Sequence, residues 1–178
     1  MKRLFLLVEL LLLCGYAEGQ SFKSSDSEVV FFSSAPLEDI RATNVEGSGL
    51  FNAETGAIAF VIPITGFQFR KSLMQQHFNE NYLESGKYPQ ATFEGRLRDY
   101  NLQSDGPQQV LAEGRMTIHG VTRNIRIKGQ LTKLGNYIDM HSKFWIKVAD
   151  YDIDIPRVVF YNIAEEVEVT VMFRFQEF

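Results

Sequence analysis

The sequence predicts a mainly β protein, a closed antiparallel sheet with one helix inserted midway. Apolar and polar residues alternate with period two along most of the chain, as they do in strands with one buried face. Short segments rich in Gly, Asn, Asp and Pro separate these runs and suit the reversals of an antiparallel meander or barrel. The 178 residues include 15 Phe and 7 Tyr, and aromatic residues favour strands.

Five runs alternate most clearly, and each is predicted to form a strand. They span residues 57–65, 114–118, 124–133, 138–148 and 166–175. Shorter runs at 28–33, 40–45, 48–52 and 91–97 are weaker strand candidates. Between the second and third runs, His119 and Gly120 fit a two-residue hairpin turn in which Gly120 takes a positive φ. We therefore expect His119 to have a structural role.

One stretch breaks the alternation and predicts a helix over residues 71–83. Its large side chains recur at spacings of one, three and four residues, which is typical of one helical face. A Ser-Gly pair and a later proline end the pattern. The helix is expected to cover the barrel mouth, with Leu73, Phe78 and Tyr82 pointing inward and Gln75 and Glu80 pointing outward.

Residues 1–19 are predicted to be a cleaved signal peptide, which leaves residues 20–178 as the mature domain. Lys2 and Arg3 precede an apolar run over residues 4–13, and small residues follow at 15, 17 and 19. The run, about ten residues long, is too short to span a bilayer. Cys14 is the only cysteine, and we expect no lipid anchor there because Leu13 before it is not small. These features predict a periplasmic or secreted protein without disulfides or zinc–sulfur sites.

Charge and motifs argue against several classes of function. The net charge of −4 argues against a nucleic-acid partner, which needs a basic surface. The sequence has no phosphate-binding glycine loop, no Gly-x-Ser-x-Gly and no His-Glu-x-x-His motif. Acidic residues at 150, 152 and 154 resemble the start of a calcium loop, but Ile155 stands where its turn glycine belongs. The three histidines are widely spaced, so we expect no metal site. No nucleophile, base and orienting residue can be assigned together, so we also expect no enzymatic activity and no cofactor.

The inward-facing positions of the predicted barrel are apolar, and two interpretations remain open. An eight-stranded barrel is either filled by its own side chains or holds one small ligand. Gly95, Gly114 and Gly129 share the inward parity, and glycine inside a strand suits a bend or a close backbone approach. Gly129 is expected to leave lumen volume unfilled, so that alanine and leucine would both be tolerated there. The residues predicted to line a ligand site are Phe60, Ile62, Leu73, His77, Phe78, Tyr82, Phe93, Met116, Ile118, Ile125, Ile127, Gly129, Phe144, Ile146, Val169, Val171 and Phe173.

Two segments carry a resemblance to a known family. Residues 116–122, Met-Thr-Ile-His-Gly-Val-Thr, resemble the Leu-Thr-Ile-His-Gly-Val-Thr signature of the YceI-like family. His77-Phe78, followed by Lys-Tyr-Pro-Gln-Ala-Thr-Phe at residues 87–93, resembles a second segment of that family. Order and spacing agree over roughly residues 22–178. The resemblance implies an exported, eight-stranded lipocalin-like barrel whose lumen holds a polyisoprenoid or other long amphiphile, and it supplies no catalytic residues.

Two functions from different classes follow. The leading hypothesis is an exported carrier whose lumen binds an apolar small molecule, such as an isoprenoid, a quinone or a fatty-acyl chain. The alternative is a ligand-free stress or interaction protein that uses the outer barrel face. Trp145 has outward parity between Lys143 and Lys147, as a surface anchor would, although the helix or a neighbouring strand could also cover it. Any membrane contact is expected to be transient, and the oligomeric state and the ligand's identity stay open.

Overall fold

Ten antiparallel strands form one sheet in the computed structural model, which describes residues 20–34, 39–104, 106–155 and 164–178. They are β1 (Ser21–Ser33), β2 (Ile40–Asn44), β3 (Ser48–Asn52), β4 (Ala57–Pro63), β5 (Gln68–Phe69), β6 (Gln90–Arg98), β7 (Gly106–Ile118), β8 (Val121–Leu134), β9 (Tyr137–Lys147) and β10 (Glu166–Glu177). The predicted signal peptide, with Cys14, lies outside the described residues.

Eight of these strands close into a ring. The ring order is β1, β3, β4, β6, β7, β8, β9 and β10, and β10 pairs back along β1. Strand β2 pairs with the last residues of β1, whose first residues pair with β3, and β5 pairs with β2. The predicted eight-stranded antiparallel barrel is therefore confirmed, with two short strands added beside it.

Strand β1 is longer than its alternation predicts, because it begins at Ser21 rather than at residue 28. Two serines in this stretch bind the backbone at the start of β3. The Ser24 hydroxyl accepts a hydrogen bond from the Gly49 N–H at 2.8 Å, and the Ser27 hydroxyl donates to the Gly47 carbonyl at 2.9 Å. The serine hydroxyls are satisfied by these hydrogen bonds. Because serines rather than apolar residues make these contacts, this part of β1 lacks the alternation of apolar and polar residues.

One end of the barrel is closed by tightly packed side chains. Phe51, Leu131, Ile138 and Phe175 are each at most 1% exposed. The Phe51 ring meets Phe175 edge-on, with ring centroids 6.4 Å apart, and it meets Tyr100 in the same way at 5.4 Å. We call this end the floor, and it restricts any cavity to the other half of the barrel.

The segment between β5 and β6 contains the predicted helix. Helix α1 spans Ser72–His77, and a π-helical turn continues it over Phe78–Tyr82. Leu73 is 61% exposed, so the prediction that it points inward is wrong. Met74 lines the interior instead, because residues 74, 77, 78 and 82 form one stripe and Leu73 lies about 100° away around the helix.

Glycines have two structural roles in this fold, one in a tight turn and one between closely spaced strands. His119 and Gly120 have positive φ values of 51° and 77°, which confirms the predicted two-residue turn between β7 and β8. Gly95 and Gly114 face each other across β6 and β7. A Cβ on either would lie 2.3 Å from a carbonyl oxygen of the neighbouring strand, so these glycines allow the close backbone approach that was one of their two predicted roles.

Trp145 lies on the outer face of β9 and is 62% exposed. The interpretation in which the helix or a neighbouring strand covers its indole ring is therefore wrong. The outward parity predicted from its place between two lysines is confirmed.

Candidate functional site

A cavity of about 490 Å³ occupies the half of the barrel between the floor and α1. Its volume falls within the range of small-molecule pockets, about 300–1,000 Å³. Strands β4 and β6 to β10 supply most of its wall with inward-facing aliphatic and aromatic side chains. An eight-stranded barrel can be filled completely by its own side chains, and this half of the barrel is not.

Most of the residues predicted to line the lumen border this cavity. They are Phe60, Ile62, His77, Phe78, Tyr82, Phe93, Met116, Ile118, Ile127, Gly129, Phe144, Ile146, Val169, Val171 and Phe173. Leu73 is instead exposed to solvent, as described above. Ile125 packs against the hydrophobic core opposite Gly114 on β7 and is not among the lining residues. That the lining residues bind a ligand stays a prediction.

Gly129 borders the cavity, but the space into which its side chain would project is occupied. A Cβ there would lie 2.9 Å from the His141 carbonyl oxygen and 3.5 Å from Cβ of Ser142, both on β9. The first distance requires a shift of backbone. The expectation that alanine and leucine are both tolerated at this position is therefore wrong, because strand spacing rather than lumen volume favours glycine.

Sequence reasoning missed several lining residues. Val110 and Ala112 on β7 border the cavity, and so do Val29 and Phe31 on β1. The parity of Met116 extends back through both β7 residues and would have included them. The β1 pair lies in a run whose inward face is harder to assign, because Phe31 and Phe32 are adjacent and both aromatic.

A cluster of four phenylalanine rings ties the helical segment to the barrel. Phe78 lies 5.4 Å from Phe31, 5.6 Å from Phe67 and 4.9 Å from Phe69 between ring centroids. The Phe31 and Phe78 rings are stacked, and the other two pairs are tilted or edge-on. Aromatic pairs in these geometries contribute about 0.5–1.5 kcal/mol each beyond burial. The cluster therefore fixes α1 against β1 and β5 at the cavity's helical end.

A polar contact also anchors α1. Gln75 was predicted to point outward, but it is half-buried and its Oε1 accepts a hydrogen bond from the Phe69 N–H at 3.3 Å. Glu80 is exposed as predicted and accepts hydrogen bonds from Gln76 at 3.2 Å. Gln75 thus joins the helix to β5 by a hydrogen bond. It is not a purely solvent-facing residue.

Few polar side chains border the cavity. His77 and Tyr82 lie at its helical end, and burial raises the pKa of Tyr82 above its ordinary value. The buried Ser33 hydroxyl accepts a hydrogen bond from the Ala164 N–H at 2.9 Å. A phenol with a raised pKa stays neutral at physiological pH. The Tyr82 hydroxyl can therefore lie beside an apolar chain without introducing a charge.

The His119 imidazole connects three segments beside the cavity. Its Nε2 lies 2.9 Å from Oε2 of Glu84, and its Nδ1 lies 3.2 Å from the carbonyl oxygen of Tyr151. The Tyr88 ring meets the imidazole edge-on at 4.6 Å between centroids. His119 therefore joins the β7–β8 turn to the end of the helical segment and to the 3-10 turn at Val148–Tyr151.

Two kinds of feature are absent from the described residues. Within the part of the chain that the structure describes, no three or more His, Cys, Asp or Glu side chains are grouped so that they could hold a metal ion. In the same residues, no helix has the length and apolar character needed to cross a bilayer.

The sequence profile of the YceI-like domain family matches residues 21–175. Solved structures with a similar fold include a polyisoprenoid binding domain from Saccharophagus degradans implicated in plant cell wall breakdown. It has a TM-score of 0.76 at 17% identity, covering 89% of this chain and 99% of that one. BcnA from Burkholderia cenocepacia has a TM-score of 0.70 at 17% identity, covering 83% and 95%.

The YCEI protein of Campylobacter jejuni is also similar, with a TM-score of 0.55 at 14% identity, covering 70% of this chain and 75% of that one. No curated protein matches the sequence significantly. At these identities, the solved structures establish the fold.

Proposed function

The chain belongs to the YceI-like domain family, and from this premise we propose that it is an exported carrier that binds a polyisoprenoid or another long-chain amphiphile in the barrel cavity. The observation that carries the proposal is the open cavity of about 490 Å³ with its almost wholly apolar lining. Apolar walls of this kind bind a ligand by burial rather than by directed polar contacts.

The expected affinity comes from the ligand's hydrocarbon chain. Burial contributes about 25 cal/mol per Å², so roughly 200 Å² of chain surface corresponds to about 5 kcal/mol before the costs of association. The similar structure from Saccharophagus degradans is described as a polyisoprenoid binding domain, which supports the same chemical class of ligand here. Isoprenoid, quinone and fatty-acyl chains all present such a surface.

Export is the second part of the proposal. It rests on residues 1–19, whose basic start, apolar run and small residues suit a secretory signal peptide. Mass analysis of the protein's N terminus after expression in a bacterial host is the test. We expect a chain that begins near residue 20 and is found outside the cytoplasm, whereas an intact Met1 on cytoplasmic protein would contradict export.

Mass spectrometry of an organic extract from the purified protein tests the carrier function directly. We expect about one apolar amphiphile per chain. An added ligand should also raise Tm. At a concentration 100 times its Kd, a ligand adds about 2.7 kcal/mol to the free energy of unfolding, which corresponds to about 5–10 °C for a domain of this size.

A pair of alanine variants separates cavity binding from surface binding. Ala112 borders the cavity, whereas Ala59 on β4 lies between the inward-facing Ile58 and Phe60 and points to the outer face. We expect Ala112→Phe to reduce affinity for the amphiphile by about tenfold or more and Ala59→Phe to leave it unchanged. A folded Ala112→Phe protein that keeps its full complement of ligand would overturn the cavity assignment.

The exposed Trp145 favours the alternative function, an interaction protein that uses the outer barrel face. Aromatic anchors are enriched in protein interfaces. Protein that purifies empty from several hosts and shows no change in Tm with any apolar chain would favour this alternative over the carrier.

A further inference from the structure

The hydrogen-bonded ladder of the barrel wall is interrupted along part of one seam in the described part of the chain. Among the described residues, the ladder between β8 and β9 runs only from the pair Gly129–Ser142 to the pair Leu134–Tyr137. Beyond Gly129, residues 121–128 of β8 pair with β7 alone, and residues 143–147 of β9 pair with β10 alone. We call the gap between these two stretches the slot. It lies in the half of the barrel that contains the cavity.

Charge explains why the ladder stops. If its register continued by one pair, Lys128 would lie directly opposite Lys143, and like charges in that position destabilise strand pairing. The Ser142 hydroxyl instead donates a hydrogen bond to the Lys128 carbonyl at 2.8 Å. A side chain thus satisfies a carbonyl at the edge of the slot, where β9 offers no ladder partner.

The slot is fixed at both ends, unlike a frayed strand. The Ser142–Lys128 hydrogen bond marks one end. At the other, Arg123 Nε donates to the Asp150 carbonyl at 2.8 Å, which ties the start of β8 to the 3-10 turn that follows β9. The interruption of the ladder is therefore bounded by two anchored points.

The cavity is bordered by side chains from both edges of the slot. Ile127 on β8 and Phe144 and Ile146 on β9 all line it, and all three are half-buried rather than buried. A hydrocarbon chain that crossed the wall here would contact apolar side chains on both sides. The interior end of such a passage is the apolar cavity itself.

The outer rim of the slot is basic, although the protein has a net charge of −4. The exposed basic residues on the rim are Arg123, Arg126, Lys128, Lys143 and Lys147. Arg126 pairs with Glu113 at 2.9 Å and Lys143 with Glu168 at 2.8 Å, in both cases on the strand away from the slot. Lys147 faces Glu166 in the β9–β10 ladder. Lys128 forms no ion pair with any residue that the structure describes.

We propose that the slot is a lateral passage into the cavity and that its basic rim, with Lys128 at the end nearest the β8–β9 ladder, holds the acidic head group of the bound amphiphile. The inference rests on the proposed function and adds a chemical class, namely a carboxylate or phosphate attached to an apolar chain. The head group stays in water beside Lys128, where an ion pair needs no desolvation of a buried charge. The chain lies between Ile127 and Phe144 and continues into the cavity.

The single tryptophan allows the head group to be located. Trp145 is on the rim, and its indole ring is exposed. Bromine quenches indole fluorescence at short range, so two forms of hexadecanoate are compared, one brominated beside the carboxylate and one at the terminal carbon. We expect the first to quench Trp145 more strongly at equal occupancy. Equal quenching, or stronger quenching by the terminal bromine, would overturn the placement.

Charge removal tests the rim. Hexadecanoate, hexadecyl phosphate and hexadecanol share one chain and differ in head group. We expect the two acids to bind about two- to fivefold more tightly than the alcohol, the size of a solvent-exposed ion pair, with the difference reduced at high salt. Lys128→Gln should remove that preference, and Lys23→Gln, an exposed lysine on β1, should keep it.

The outcomes distinguish this inference from the carrier function. If none of the three compounds binds, the carrier function fails as well. If all three bind equally and Lys128→Gln changes nothing, the carrier function stands and the slot assignment is wrong. Inorganic phosphate alone should not displace hexadecyl phosphate, because the chain supplies most of the affinity, and displacement would indicate an anion site independent of the cavity.

Discussion

Replacing Gly129 by alanine is the sharpest test of how β8 and β9 are spaced. The new Cβ would lie 2.9 Å from the His141 carbonyl oxygen, whereas ordinary contacts begin near 3.4 Å. The carbonyl must therefore move by about half an ångström, and β9 is held in the sheet between β8 and β10. Overpacking of this kind costs about 1–3 kcal/mol. For a domain of this size, the corresponding fall in Tm is about 2–12 °C.

Two other glycines serve as matched controls for this variant. A Cβ on Gly86 would meet no atom within 4 Å, so Gly86→Ala should be neutral or stabilise by up to about 1 kcal/mol through the unfolded chain. A Cβ on Gly95 would lie 2.3 Å from the Glu113 carbonyl oxygen, so Gly95→Ala should cost more than Gly129→Ala. Urea unfolding followed by circular dichroism measures all three, with m-values that should stay constant.

The order of stabilities decides the outcome. We expect Gly86→Ala to be the most stable of the three variants, Gly129→Ala to be intermediate and Gly95→Ala to be the least stable. A Gly129→Ala protein as stable as the parent would mean that β8 and β9 separate easily at this pair. The argument from strand spacing would then be wrong, and the original expectation of free lumen volume would be restored.

Three further variants test the turn, the ion pair and the helical segment. Gly120→Val should destabilise the fold by about 1–3 kcal/mol in thermal unfolding, since φ is 77° and a Cβ would lie 2.5 Å from the Tyr88 ring. Hydrogen bonds from Arg174, at 2.8 Å, lower the pKa of Asp139. The stabilisation from that lowered pKa is present at neutral pH and is lost as pH falls through the folded-state value. Asp139→Asn should therefore cost about 0.5–1 kcal/mol at neutral pH, because the pair is partly exposed, and nothing in strong acid. Phe78→Ala should cost about 2–4 kcal/mol and also speed release of a fluorescent fatty acid, while a variant with unchanged release would make Phe78 a core residue only.

Alternation of apolar and polar residues predicted the strands that have one apolar and one polar face. It missed stretches in which the two faces do not differ in polarity. Strands β8, β9 and β10 carry apolar residues inward and charged residues outward, and the structure places them within a few residues of their predicted bounds. The early part of β7 contains Gln108 and Gln109 side by side, so the pattern there gives no parity. Strand β5 has only two residues, which is too short for any period to be read.

For the candidate site, the sequence predicted which face of each strand points into the barrel, and no more than that. Odd or even position along each strand predicted which residues form the cavity wall. It does not show whether their side chains fill the barrel interior or leave a cavity. At the helix, the spacing of four between Met74, Phe78 and Tyr82 already indicated Met74 rather than Leu73 as the inward residue, so the sequence carried this information and the prediction misapplied it. The slot could not be predicted from the sequence either, because it depends on which pair of neighbouring strands ends its hydrogen-bonded ladder early.

The volume of the cavity has a consequence for stability. At about 24 cal/mol per Å³, a cavity of about 490 Å³ would cost up to about 12 kcal/mol if it stayed dry. That cost is comparable with the whole free energy of unfolding of a typical domain, about 5–15 kcal/mol. Water cannot offset it well, because few polar groups border the space. If the proposed function holds, we therefore expect protein purified with a bound amphiphile to be markedly less stable after organic extraction and to regain its original Tm when an apolar chain is added back. Extracted protein with an unchanged Tm would mean that the barrel contracts around the cavity, with the Phe78 cluster moving inward to fill it.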